Sequence, residues 1–138
     1  MTARGFLDTN ILLYSISRAP DEANKRQRAI ALLDAPGCCL SVQVLQEFYV
    51  QATRASRVDP LPHDIAAGLV QAWLRFEVQD NTVGVLRGAL EIRARHGFSY
   101  WDSAIIAAAR LLGCEALYTE DLSHGRVVDG VSIIDPFR

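Results

Sequence analysis

Short apolar runs alternate with amphipathic stretches along the chain. Gly5-Phe6-Leu7 stops at Asp8-Thr9-Asn10, which predicts a buried strand with a polar exit. Asp8, Thr9 and Asn10 all cap helices well, so Ile11 to Ile16 predicts a short helix. Asp21 to Asp34 predicts a surface helix, broken by Pro36-Gly37. Cys38-Cys39-Leu40 predicts a second strand. Ser41 can then cap a helix to about Ala55, with Leu45, Phe48, Tyr49 and Ala52 on one face. After the turn at Asp59-Pro60-Leu61-Pro62, a helix is expected through Ile65, Leu69, Val70, Trp73 and Leu74, then a third strand at Phe76-Glu77-Val78. Thr82 to His96 predicts a helix with Val83, Leu86, Leu90 and Ala94 as its inward stripe, closed by Gly97. Another opens at Ser99, runs through Trp101, Ala104, Ile105, Ala108 and Leu111 or Leu112, and ends at Gly113. Ala116 to Thr119 and Val131 to Ile134 complete a set of five strands. Trp73 and Trp101 are both expected in the core.

Strands alternating with helices predict an α/β fold with a mostly parallel sheet covered on both faces and right-handed crossovers. No repeat, low-complexity tract or long linker divides the 138 residues, so one domain over residues 1–138 is expected. Half the residues are apolar and 22% are charged, which excludes a disordered chain. Cys38, Cys39 and Cys114 form neither a framework nor a zinc pattern and read as core residues of a reduced protein. No signal peptide and no membrane-spanning run is visible, so the cytoplasm is the expected compartment.

The net charge of −2 does not advertise nucleic-acid binding. Setting aside Asp8, Glu47, Asp102 and Asp121 leaves 12 acidic against 14 basic residues, and 13 of those 14 are Arg. Arg pairs with phosphate through two parallel hydrogen bonds, although genome composition explains Arg richness equally well.

Parallel sheets bind ligands beyond the carboxyl ends of their strands. Asp8 follows the first strand, and Glu120-Asp121 follows the fourth. Asp102 lies in the first turn of a helix whose entry is expected at the same edge. Carboxylates gathered in one cleft call for a hard divalent cation such as Mg²⁺ or Mn²⁺. Each acid also has a purely structural reading. Asp8 can cap a helix. Ser99-Tyr100-Trp101-Asp102 approximates a capping box. Glu47 lies 200° from Leu45 around its helix, opposite the apolar stripe, and reads as a solvated surface residue. Asp121 can be a turn former, with Glu120 as its rival for the site.

Four segments in order carry a resemblance: Phe6-Leu7-Asp8-Thr9-Asn10-Ile11-Leu12, Gln46-Glu47-Phe48, Trp101-Asp102-Ser103-Ala104-Ile105 and Tyr118-Thr119-Glu120-Asp121-Leu122. Together with the closing Asp135-Pro136-Phe137, they resemble the PIN-domain family, in particular VapC-type toxins of toxin–antitoxin pairs. The resemblance implies a three-layer α/β/α sandwich and a Mg²⁺- or Mn²⁺-dependent endoribonuclease. Asp8, Glu47 and Asp102 would form the acidic triad, with Asp121 as a fourth acid. Asp8, Asp102 and Asp121 would bind the metal, and Glu47 would complete its surroundings directly or through water. Thr9 and Asn10 match positions supporting the first Asp, and Thr119 one near the fourth acid; Glu120 beside Asp121 leaves that assignment open. The resemblance also asks Glu47 to face the cleft. Arg18, Lys25, Arg26 and Arg28 are candidates to hold the RNA backbone, a solvated helix face being the alternative. His63, His96 and His124 share no spacing and read as incidental. A small antitoxin and a second copy of the chain are the implied protein partners.

Two other readings differ in kind. An Asp-dependent phosphatase also places Asp after its first strand, but needs a second Asp where Asn10 stands. A degenerate module of the same fold would bind RNA or a partner without catalysis; loss of an acid would mark it, and all four positions are filled.

Overall fold

The computed structural model describes residues 3–138. A six-stranded sheet has the order β3-β2-β1-β4-β6-β5, formed by β1 (Gly5–Leu7), β2 (Cys38–Ser41), β3 (Glu77–Gln79), β4 (Ala116–Tyr118), β5 (Val127–Val128) and β6 (Val131–Ile134). All neighbours pair in parallel except β5 and β6. The chain builds outward from β1 to β2 and β3, then reverses to place β4 on the other side of β1. That reversal opens a crevice at the carboxyl ends of β1 and β4, where Leu7 pairs with Tyr118.

The helices are α1 (Thr9–Ser15), α2 (Ala23–Asp34), α3 (Val42–Thr53), α4 (His63–Trp73), α5 (Val83–His96) and α6 (Tyr100–Leu111). With right-handed crossovers, the reversal at β1 sends α1–α4 to one face and α5–α6 to the other, giving the three-layer α/β/α sandwich. α1 begins two residues earlier than the cap pattern suggested, because Asp8 itself is the N-cap. A 3-10 turn over Pro20–Glu22 takes the first residues of the expected surface helix. The core is continuous through Phe6, Leu12, Leu40, Phe48, Ile92, Ile106, Leu117 and Ile133, all fully buried. Trp73 packs edge-to-face on Phe48 with ring centroids 4.7 Å apart, and all three cysteines are buried and free.

Three expectations are corrected. The inward stripe of α5 is Val85, Gly88, Ala89 and Ile92, whereas Val83, Leu86, Leu90 and Ala94 are exposed. α5 carries two apolar stripes, and the smaller one admits α6. A Cβ on Gly88 would stand 3.1 Å from Ala107 Cβ, tighter than ordinary contact, so glycine there eases the close approach of the two helices. Trp101 is 62% exposed instead of buried. It sits in the first turn of α6, near the end of the helix that enters from the crevice edge. Ile65, Leu74 and Leu111 are also exposed. A sixth strand, β5, joins β6 through the two-residue turn Asp129-Gly130, both at positive φ. Among the described residues, no helix is long and apolar enough to cross a membrane.

Candidate active site

The acids are carried by four elements: the β1–α1 junction, α3, the first turn of α6 and the turn after β4. Asp8 leaves β1 and caps α1: its Oδ1 accepts from Thr9 N at 2.7 Å and its Oδ2 from Thr119 Oγ1 at 2.8 Å. Asp8 is only 5% exposed. Burial pushes its carboxyl up to about 6, against the hydrogen bonds from Thr119 and Thr9, and the charges of Glu47 and Asp121 push the same way as burial. The structure therefore brings Asp8, Glu47 and Asp121 within electrostatic reach of one another.

α3 starts at the carboxyl end of β2, capped by Ser41. Its apolar stripe, Val44, Leu45, Phe48 and Ala52, is buried in the core, and the opposite flank turns toward α1. There Glu47 Oε2 accepts from Thr9 Oγ1 at 2.7 Å. Glu47 is half-buried in the crevice and is not a solvated surface residue. Its Oε1 accepts from Gln43 Nε2 at 2.9 Å, and the same amide donates to the carbonyl of Trp101 at 3.2 Å. Gln43 thus ties the third acid-bearing element, the first turn of α6, to α3. Asp102 stands next to that carbonyl, with its backbone N–H donating to the N-cap Ser99 Oγ at 3.1 Å. The cap reading is right for Ser99; Asp102 is half-buried in the first turn of α6, and its carboxylate makes no hydrogen bond to the other three acids.

Beyond β4, Thr119 is buried and joins two acids: it donates to Asp8, and its Oγ1 accepts from Asp121 N at 3.1 Å. Asn10 Nδ2 donates to Asp121 Oδ2 at 3.0 Å and to Thr119 Oγ1 at 3.2 Å. Glu120 points elsewhere, into an ion pair with Lys25 at 2.7 Å and a hydrogen bond from Tyr14 Oη. Of the four basic candidates near the first acid, Lys25 is therefore engaged, Arg18 pairs with Asp59 at 3.5 Å, and Arg26 and Arg28 are exposed on α2. The histidines have partners of their own: Tyr49 for His63, Arg126 for His96, and the Asp135 backbone for His124.

The donor set suits a hard divalent cation. It is carboxylate oxygen throughout, and the charged form of Asp8 is disfavoured first by burial and further by the charges of Glu47 and Asp121, both of which a cation would offset. Among the described residues, no three His, Cys, Asp or Glu side chains close around an ion by themselves. Gln43 escaped the sequence reading, since a lone Gln in a helix gives no signal. Two cavities of about 200 and 350 Å³ lie at the opposite edge of the sheet, around Arg4, Pro36, Gly37 and Cys38.

The family model of the PIN domain matches residues 5–129, nearly the whole chain. The chain belongs to the PIN domain family. Solved PIN-like structures agree in fold. A toxin–antitoxin complex from Klebsiella pneumoniae is 21% identical with a TM-score of 0.68, covering 98% of both chains. DNA-bound VapBC from Salmonella typhimurium is 24% identical with a TM-score of 0.68, covering 98% of this chain and 99% of that one. VapC20 of Mycobacterium tuberculosis, described as a sarcin-ricin loop cleaving toxin, is 20% identical with a TM-score of 0.63, covering 82% and 86%. At these identities the likeness establishes the fold. The curated proteins give no significant match.

Proposed function

We propose that this PIN domain is a metal-dependent endoribonuclease, the toxin of a toxin–antitoxin pair in the cytoplasm. The observation that carries the reading is the buried Asp8 carboxylate, held by Thr9 and Thr119 with Glu47 and Asp121 beside it. Asp8, Asp102 and Asp121 would hold Mg²⁺ or Mn²⁺, with Glu47 completing its surroundings directly or through water. A divalent cation bound there supplies two things: a more acidic water and neutralisation of charge on the phosphate.

The chain's own groups do the rest. Thr9 and Gln43 fix the two oxygens of Glu47, so its carboxylate stays directed into the crevice. Thr119 and Asn10 orient Asp8 and Asp121 and spare both from paying orientation entropy when substrate arrives. Arg26 and Arg28, exposed on α2, are candidate contacts for the RNA backbone. The antitoxin and a second copy of the chain are the proposed protein partners. The exposed stripe Val83, Leu86 and Leu90 on α5 supports the second copy.

Labelled single-stranded RNA should be cut with Mg²⁺ or Mn²⁺ and spared with chelator. Expression of the chain alone should arrest growth, and the neighbouring reading frame should relieve the arrest. RNA left intact under every divalent metal would reject the catalytic reading in favour of a binding module of the same fold.

A further inference from the structure

Glu120 and Asp121 are adjacent carboxylates on one turn, and the sequence alone does not choose between them for the acid cluster. The structure separates them. Glu120 Oε2 lies 2.7 Å from Lys25 Nζ, and its Oε1 accepts from Tyr14 Oη. Lys25 is the chain's only lysine. Its ammonium also lies 3.2 Å from Tyr14 Oη, 4.8 Å from the centre of the Tyr14 ring and 5.5 Å from that of Phe137. The two rings meet edge-to-face at 5.0 Å. Four segments distant in sequence therefore close one cage: α1 through Tyr14, α2 through Lys25, the turn after β4 through Glu120, and the C-terminal segment through Phe137. On the other side of the same turn, Asn10 reads both residues. Its Oδ1 accepts from Glu120 N at 3.4 Å while its Nδ2 holds Asp121.

We infer that Lys25 is a positioning residue whose grip on Glu120 withholds that carboxylate from the acid cluster and leaves Asp121 facing it. This inference rests on the ribonuclease reading for its kinetic consequence, but not for its structural one. Without Lys25, an unneutralised carboxylate is freed one residue from Asp121, which Asn10 Nδ2 holds at 3.0 Å. The released charge would compete for the place of Asp121 and loosen the turn that Asn10 holds. The rival role for Lys25, a contact to RNA phosphate, is disfavoured because the ammonium is already committed to Glu120 and Tyr14.

The test compares wild type, Lys25→Met, Lys25→Arg and the double variant Lys25→Met/Glu120→Gln. It reads steady-state RNA cleavage and, in metal-free protein, the side-chain amide NMR signals of Asn10. Lys25→Met should shift the Asn10 signals and lower kcat about tenfold, with KM changed less than twofold. Adding Glu120→Gln should restore both, since neutral Gln still accepts from Tyr14 and brings no charge to the cluster. Lys25→Arg should behave like wild type. A raised KM with a salt dependence weaker by about one phosphate contact, unrescued by Glu120→Gln, would overturn the inference in favour of substrate binding. Unmoved Asn10 signals in Lys25→Met would overturn it as well. If wild type cuts no RNA, the ribonuclease reading fails by itself, and the Asn10 signals still decide whether the clamp positions the turn.

Discussion

Asp8 caps α1 through one oxygen and accepts from Thr119 through the other, yet burial raises its carboxyl from 3.8 to about 6. A shift of that size costs the native state about 3 kcal/mol once the group is ionised. The sign follows directly. Below about pH 4 the group is neutral in both states and costs nothing. The cost grows from pH 4 to pH 6 and is complete above. Asn caps helices as well as Asp does and carries no charge. Asp8→Asn should therefore make the metal-free protein about 1–3 kcal/mol more stable at pH 7.5 in denaturant titrations, with the gain vanishing near pH 4. A variant less stable than wild type at pH 7.5 would show that the hydrogen bonds to the carboxylate outweigh its burial. Gln43 makes a second residue-scale prediction. Gln43→Leu removes both the donor to Glu47 and the link to the Trp101 carbonyl, so cleavage should fall about tenfold in kcat while thermal stability changes little. The Asp8 cap was readable in advance, and the role of Gln43 was not. Helical geometry placed Glu47 opposite the apolar stripe, and that was correct. What faces the opposite flank is decided by α1, which the sequence of α3 cannot report.

α6 and its neighbours show where local pattern suffices and where packing decides. The Ser99 cap, the Gly97 closure at positive φ and the helix that follows were all legible, because capping and glycine turns are local. Ser99 fixes the turn that carries Asp102, so Ser99→Ala should cost about 1 kcal/mol in chemical denaturation. Ser99→Asp should keep the stability, since Asp is as good a cap. The buried face of α5 was not legible. Two apolar stripes run along it, and only contact with α6 at Gly88 selects the one with small residues. Gly88→Val should accordingly destabilise the protein by about 1–3 kcal/mol through overpacking, measurable as a lower denaturant midpoint. The hairpin β5–β6 carried a signal that can be read: Asp129-Gly130 between valines is a two-residue hairpin turn. Arg95 and Arg110 each reach Asp129 Oδ2 at 2.8 Å and pin that hairpin to α5 and α6. Partial burial raises the Asp129 carboxyl, but the two guanidinium groups outweigh it and hold it below its usual range.

At the scale of the molecule, the sheet's reversal at β1 brings Asp8 and the Thr119–Asp121 turn to one crevice, the entry of α3 adds Glu47, and Gln43 ties the first turn of α6 to it through the Trp101 carbonyl. Strand order is set by crossovers and helix packing, which is why the alternation of elements announced the fold class while the neighbours of each acid had to be seen. The surface left over carries its own prediction. Val83, Leu86 and Leu90 form an exposed apolar stripe on one helix, which in a self-associating chain is the face that would be covered. Leu86→Glu with Leu90→Glu should convert a dimer to a monomer in sedimentation, and an unchanged dimer would place the interface elsewhere. The most direct test of the central claim compares RNA cleavage by wild type and Asp8→Asn in the same Mn²⁺ buffer, after circular dichroism has shown both to be folded. Cleavage by wild type that stops with chelator and falls at least a thousandfold in Asp8→Asn is the result expected. Cleavage by Asp8→Asn at the wild-type rate, from preparations free of contaminating nuclease, would contradict it.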